Sequence, residues 1–102
     1  MGNTAISFDG TWDFEDNDKS HSDTYNFSGN KYVHTSITSL QGTKIDKGTF
    51  SYTTDTIALN SEVYNDVQSF IYKFQGSKLL LSDAPIESSS HNPNKFGVLI
   101  KK

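Results

Sequence analysis

The chain has 102 residues, with 9 Lys, no Arg, 12 Asp plus Glu, no Cys and a formal net charge of −3. This length suits one domain over residues 1–102, because two halves would each be too small to bury a core. The lack of Cys excludes disulfides and thiolate-ligated metal sites, and an acidic balance without Arg argues against a nucleic-acid partner. No run approaches the roughly 18 apolar residues of a membrane span, so none is predicted.

The predicted elements are all short strands. The clearest is Ile6–Phe14, where apolar side chains occupy even positions and polar ones occupy odd positions. The later strands, each bounded by turn residues, are predicted at Thr24–Phe27, Lys31–Leu40, Thr49–Thr53, Thr56–Asn60, Ser69–Phe74, Lys78–Ser82 and Phe96–Ile100. Asp46-Lys47-Gly48 is predicted to turn the chain into its strand, and Phe96, Val98 and Ile100 are predicted to face inward in the last strand.

Eight such strands without an amphipathic helix predict an all-β fold. Hairpin-length connections favour an antiparallel up-and-down meander over a Greek key, which needs a long crossover. Eight strands are enough to close the meander into a small barrel, with the last strand pairing with the first and no sheet edge left open. An open β-sandwich is the alternative.

Large aromatic side chains dominate the predicted inward-facing positions. They are Phe8, Trp12, Phe14, Tyr25, Phe27, Phe50, Tyr52, Phe70, Tyr72, Phe74 and Phe96. Eleven rings would occupy much of the lumen, because an eight-stranded barrel is just wide enough to be filled by side chains. A packed core is therefore favoured over a deep binding cavity, which stays the alternative.

Several segments resemble the calycin barrels, and in particular small bacterial lipocalin-like domains. Phe8-Asp9-Gly10-Thr11-Trp12 is similar to the Gly-x-Trp opening of lipocalins and fatty-acid-binding proteins. The similar later segments are Tyr25-Asn26-Phe27-Ser28-Gly29, Gly48-Thr49-Phe50 and Tyr72-Lys73-Phe74-Gln75-Gly76-Ser77-Lys78-Leu79-Leu80-Leu81. This chain lacks the Arg that such barrels place near the closing strand or in the cavity, and we expect Lys101 to cover Trp12 in its place.

The resemblance implies a non-enzymatic, extracytoplasmic binding domain (secreted, periplasmic or a surface lipoprotein) that holds a small apolar or aromatic ligand at the open barrel end. Residues 1–20 show no signal pattern, so an export signal is expected to have been removed. The alternative is a protein-interaction module, such as a surface lipoprotein domain or hydrolase inhibitor, with a packed barrel. Polar residues occur in both phases of Lys31–Leu40, which is typical of a bulge, an exposed edge or a polar pocket wall. The candidate ligand-binding residues are Tyr25, Tyr32, His34, Ser36, Tyr52 and Tyr72.

No catalytic residue, metal site or cofactor is predicted. Asp16-Asn17-Asp18-Lys19-Ser20 has the oxygen spacing of a calcium loop, but His21 stands where that loop needs Gly and Phe27 where it needs Glu. A solvated hairpin loop is therefore favoured. His21, His34 and His91 lie far apart in sequence and no nucleophile motif accompanies them, so an enzyme is the weakest of the three hypotheses.

Overall fold

The computed structural model of the protein describes residues 8–82, 84–89, 92 and 94–102. These residues form eight strands: β1 Gly10–Phe14, β2 His21–Ser28, β3 Lys31–Thr38, β4 Gly42–Tyr52, β5 Thr56–Ser61, β6 Val67–Gln75, β7 Lys78–Ser82 and β8 Phe96–Lys101. Each strand pairs antiparallel with the next, and β8 pairs with β1, which closes the sheet. The predicted up-and-down barrel is therefore confirmed, and the open sandwich is wrong. Among the described residues, no helix is long and apolar enough to cross a membrane.

The two ends of the barrel differ. The turns that follow β2, β4 and β6 lie at one end, which we call the closed end, together with the segment that precedes β1. The loops that follow β1, β3, β5 and β7 lie at the opposite end, which we call the open end. The strands alternate inward and outward residues, as in β5, where Ile57 and Leu59 are buried and Asn60 is exposed.

Aromatic rings fill the closed end around Phe8. Its ring centroid lies 4.9–5.8 Å from five other rings of the described chain, in tilted or edge-to-face arrangements. These are the rings of Phe27, Phe50, Tyr52, Tyr72 and Phe74. Each such pair adds about 0.5–1.5 kcal/mol beyond the area that it buries. Phe8 therefore acts as the plug of this end.

The predicted strand Ile6–Phe14 is wrong in its first half. Ile6 lies outside the described residues, Phe8 is not in a strand, and β1 begins only at Gly10, whose φ of +125° interrupts the extended backbone. The indole N–H of Trp12 donates a hydrogen bond of 2.8 Å to the Phe8 carbonyl, which holds this short segment over the barrel. A Cβ at Gly10 would lie 2.6 Å from the Lys101 side chain. The missing side chain leaves room for Lys101 to cross, with its Nζ 5.6 Å from the Trp12 ring centre, as expected.

The predicted turn at residues 46–48 is also wrong, because β4 continues through it. Asp46 points inward and accepts hydrogen bonds from Tyr32 and Ser61, so its carboxylate serves a network across the barrel wall. Gly48 keeps the strand close to its neighbour, since a Cβ there would lie 1.9 Å from the Asn60 carbonyl oxygen. The Asp-x-Gly pattern therefore reflects inward contacts and close strand packing, and not a change of direction.

The predicted phase of the last strand is wrong as well. Leu99 is fully buried opposite Leu79, whereas Ile100 is 41% exposed. Phe96 is half-buried, with the Lys73 ammonium 4.5 Å from its ring centre. Since Val98-Leu99-Ile100 is apolar in both phases, only the register with β7 decides which residues face inward.

Two tyrosines also differ from the predicted core. Tyr52 was expected to be buried, but 58% of it is exposed even though its ring contacts Phe8. Tyr32 was not among the eleven predicted core rings, yet it is among the most buried residues of the described chain. β3 therefore contributes a core ring despite its mixed polar sequence.

We predict that Phe8→Ala lowers the free energy of unfolding by about 3–5 kcal/mol, because the substitution leaves a cavity among packed rings. Urea unfolding of the purified variants measures this change. Leu40→Ala is the control, since Leu40 is 95% exposed in the β3–β4 turn, and it should change the stability by no more than about 0.5 kcal/mol. An equal effect of the two substitutions would contradict the plug.

Candidate functional site

Two cavities lie side by side at the open end, among the described residues. The first has a volume of about 450 Å³. Its apolar wall consists of Phe14, Tyr25, Phe70, Leu81 and Gly97. Its polar side consists of Asp16, Asn17, Asp18, His21, Asp23 and Ser82.

The second cavity has a volume of about 360 Å³ and a predominantly polar lining. Its residues are His34, Ser36, Lys44, Asp46, Tyr64, Asp66 and Gln68. Both cavities border the same face of β6, which contributes Phe70 to the first and Gln68 to the second. The open end is thus divided into a half with aromatic walls and a more polar half.

Asp23 joins two histidines at the boundary between these cavities. Its Oδ2 lies 2.8 Å from Nε2 of His21, and its Oδ1 lies 2.9 Å from Nε2 of His34. A carboxylate only accepts hydrogen bonds, so both imidazoles donate from Nε2. These three side chains therefore position one another. His91, the third histidine considered from the sequence, lies outside the described residues.

The Tyr25 ring forms the partition between the cavities. It stacks on the His34 imidazole with ring centres 4.2 Å apart and an interplanar angle of 4°. Tyr25 lines the first cavity and His34 lines the second. Burial raises the pKa of the Tyr25 phenol, and the nearby Asp23 carboxylate raises it further. The hydroxyl is therefore neutral at physiological pH.

Asp46 organises the wall of the second cavity. It accepts hydrogen bonds of 2.9 Å from the Tyr32 hydroxyl and 2.6 Å from the Ser61 hydroxyl. Burial, followed by the hydrogen bond to Asp46, raises the pKa of Tyr32. The Ser61 oxygen also accepts the backbone N–H groups of Val63 and Tyr64, which links the β5–β6 loop to this wall.

The β1–β2 loop that borders the first cavity is held by its own side chains. Asp18 Oδ1 accepts from the Ser20 hydroxyl and from the backbone N–H groups of Ser20 and His21, and these bonds lower the pKa of Asp18. Asn17 exchanges two hydrogen bonds with the backbone of Asp23. No group of three His, Cys, Asp or Glu side chains in the described part of the chain is arranged to hold a metal ion. The Asp18 carboxylate is thus committed to the structure of the loop.

The six candidate residues from the sequence separate into two groups. Tyr25, His34 and Ser36 lie at the open-end cavities, and Tyr32 supports them through Asp46. The other two, Tyr52 and Tyr72, lie at the closed end, with ring centres 5.0 and 4.9 Å from Phe8. The Tyr72 hydroxyl donates to the Thr53 carbonyl. The structure therefore brings together four of the six and places the last pair in the plug.

Sequence reasoning missed Asp23 and Asp46 as parts of a site. The predicted strand began at Thr24 and left Asp23 outside it, and Asp46 was assigned to a turn. One signal was available for each: Asp23 shares the odd-numbered phase of Tyr25 in β2, and Asp46 shares the even-numbered phase of Phe50 in β4. Because the strands were predicted too short, this shared phase was not recognised.

The comparison with known proteins bears on the fold. No family model matches the chain, and no curated protein matches it. Among solved structures, the chain is similar to a lipocalin lipoprotein affecting virulence in Streptococcus pneumoniae, with a TM-score of 0.61 and 21% identity over 95% of this chain and 94% of that one. The chain has a lipocalin-like fold. In this lipocalin-like barrel, Gly10 and Trp12 lie at the closed end and the two cavities lie at the other.

We predict that the stability of the barrel falls as the pH rises above about 10, the ordinary pKa of tyrosine. Tyr25 and Tyr32 have raised pKa values in the folded state, so the unfolded chain loses their protons first and is favoured in alkali. Tyr25→Phe removes one of these groups while keeping the ring that stacks on His34. Urea unfolding between pH 8 and pH 11 should therefore show a shallower decline for this variant, and an unchanged slope would contradict the assignment.

Proposed function

We propose that this chain is a non-enzymatic, extracytoplasmic lipocalin-like domain that binds a small molecule with an apolar or aromatic part. The binding site is the first cavity. The observation that carries the proposal is a cavity of about 450 Å³ at the open end, with Phe14, Tyr25, Phe70 and Leu81 on one side and hydrogen-bonding groups on the other. Small-molecule sites in proteins have this size and this mixture of an apolar wall with a few polar groups.

The location at the open end follows from the packing at the other. Because rings surround Phe8 on the closed side, a ligand would contact the open-end residues and not reach the full depth of the barrel. In this proposal Tyr25 contacts the ligand directly, while His34 supports the Tyr25 ring by stacking. Tyr52 and Tyr72 pack against Phe8 at the closed end and are not part of the proposed site.

An extracytoplasmic location is supported by similarity in fold. The similar solved structure is described as a lipoprotein, and the sequence motifs resemble those of exported bacterial lipocalin-like domains. Fractionation of the cells that produce the protein tests this part. Recovery in the envelope or the medium is expected, and recovery with the cytoplasmic proteins would contradict it.

We predict saturable binding of the neutral dye phenylnaphthylamine, followed by its fluorescence and by amide chemical shifts of the ¹⁵N-labelled protein. The amides of Phe14, Tyr25 and Gly97 should shift, and that of Phe50 at the closed end should not. Phe70→Leu should weaken binding by about three- to tenfold, because an aromatic wall is lost. Phe96→Leu makes the same chemical change outside the cavity and should have no effect.

The absence of saturable binding by the wild-type protein would remove the ligand-binding proposal. Shifts that centre on the second cavity, around Ser36 and Gln68, would move the site and contradict its assignment to the first. Equal effects of the two Phe→Leu substitutions would show that the dye does not use the Phe70 wall.

A protein-interaction role is a second candidate, favoured by one observation. Val33, Ile37 and Ile45 are exposed on the outer faces of β3 and β4, beside the fully exposed Leu40 at the turn. Contiguous exposed apolar residues are typical of interaction sites. We predict that a partner retained by the wild-type bait from an envelope extract is lost with the double variant Ile37→Ser, Ile45→Ser. Identical retention by both baits would exclude this face.

A further inference from the structure

The charge on the lining of the first cavity points to the class of ligand. Asp16, Asp18 and Asp23 contribute carboxylates, and none of the described residues that line this cavity is a lysine. Lys78, which reaches the same loop, is paired with Glu15 at 2.9 Å and does not line the cavity. The only cationic partners of these carboxylates among the described lining residues are imidazoles, since His21, which also lines the cavity, bonds to Asp23. The described lining therefore has an excess of acidic groups, and its potential favours a cation.

A second and independent observation concerns the hydroxyl of Tyr25. Tyr25 is only 6% exposed, and its hydroxyl forms no hydrogen bond with any described residue. Every polar side-chain atom that is fully enclosed in the described structure has a hydrogen-bond partner, so an atom without one is accessible. The hydroxyl of this buried residue is therefore reached from the cavity that the residue lines. A buried, neutral phenol without a protein partner needs a hydrogen bond from solvent or from a ligand.

The three carboxylates differ in how far their oxygens are already used. Both oxygens of Asp23 bond to histidines, and Asp18 Oδ1 accepts three hydrogen bonds from its own loop. The carboxylate of Asp16 forms neither a hydrogen bond nor an ion pair with any described residue. Asp16 is therefore the carboxylate that can pair directly with a ligand, while Asp18 and Asp23 add to the field.

From these contacts we infer that the first cavity takes an organic cation: a protonated primary amine carried on a flat apolar or aromatic body. The ammonium group pairs with Asp16 and donates a hydrogen bond to the Tyr25 hydroxyl, and the apolar body lies against Phe14, Phe70 and Leu81. The aromatic walls suit the flat body of such a ligand, because contacts between rings add to the gain from burying apolar area. This inference rests on the proposed function, since it names the ligand class of the same cavity.

The chemistry of the site distinguishes this class from its alternatives. Three carboxylates disfavour an organic anion in the same position. The lining carboxylates are not grouped as metal ligands in the described part of the chain, so an inorganic divalent cation lacks the oxygen cage that it requires. A quaternary ammonium could not donate a hydrogen bond to Tyr25, whereas a primary ammonium can.

The test compares three probes of similar shape that differ in charge: phenethylamine, phenethyl alcohol and hydrocinnamate. Competition against phenylnaphthylamine and isothermal titration measure their affinities at neutral pH. We expect the amine to bind at least about tenfold more tightly than the alcohol, with the carboxylate weakest. Binding of the amine, but not that of the alcohol, should weaken as salt is added.

Two variants and a matched control locate the cation. Asp16→Asn should weaken the amine by about fivefold and leave the alcohol unchanged, because only the charge is removed. Asp66→Asn makes the same change in the second cavity and should leave both affinities unaltered. Tyr25→Phe should weaken the amine and the alcohol together, because both use the hydroxyl.

The possible outcomes distinguish a failure of the organic-cation inference from a failure of the proposed small-molecule binding. If the dye binds but the amine and the alcohol bind equally well, or if only the carboxylate displaces it, the organic-cation class is wrong while small-molecule binding stands. If the amine is preferred but responds to Asp66→Asn and not to Asp16→Asn, the assignment to the first cavity is overturned. If neither the dye nor any of the three probes binds, both the inference and the proposed function fail.

Discussion

The hydrogen bond from the Trp12 indole to the Phe8 carbonyl is the contact on which the arrangement of the barrel depends. It fixes the segment before β1 so that the Phe8 ring enters the closed end and meets rings from β2, β4 and β6. Gly10 turns the backbone out of the extended conformation at the start of β1. The segment just before this strand can therefore cover the closed end of the barrel. Lys101 then lies over the Trp12 ring from β8, so the first and last strands meet at the plug as well as in the sheet.

Aromatic rings fill the closed end, so the polar groups that could bind a ligand lie at the open end. There the barrel wall carries carboxylates, imidazoles and phenols, which form two local networks. One is centred on Asp23, with two histidines, and the other on Asp46, with Tyr32 and Ser61. In both networks the carboxylate oxygens are bonded to neighbouring side chains, which makes these carboxylates part of the structure. The Tyr25 hydroxyl and the Asp16 carboxylate line the first cavity and belong to neither network. They are therefore the groups that remain able to hydrogen-bond or pair with a ligand.

The outcomes of the sequence predictions follow from the kind of information that each needed. Strand-forming stretches were recognised because alternation and turn residues are local. The turn expected at residues 46–48 failed because Asp46 is held by partners from two other strands, β3 and β5. The phase of β8 failed because Val98-Leu99-Ile100 is apolar throughout, so only its pairing with β7 could decide it. Four of the six candidate residues lie near one another and two lie at the closed end, since side-chain phase indicates which residues face inward but not how far along the barrel they lie.

By itself, the sequence determined an antiparallel meander of eight short strands with an aromatic interior, because period-two patterning and hairpin-length turns act within each segment. It favoured closure of this meander over an open sandwich, and the pairing of β8 with β1 decided between the two. The sequence also determined that no Arg is available to capture an anionic ligand. Only the tertiary structure decided which tyrosines pack against Phe8 and which face a cavity. It also brought Asp23 into contact with two histidines and Asp46 into contact with Tyr32 and Ser61. Those placements depend on register around the whole ring of strands, which is a property of all eight strands together and of none of them alone.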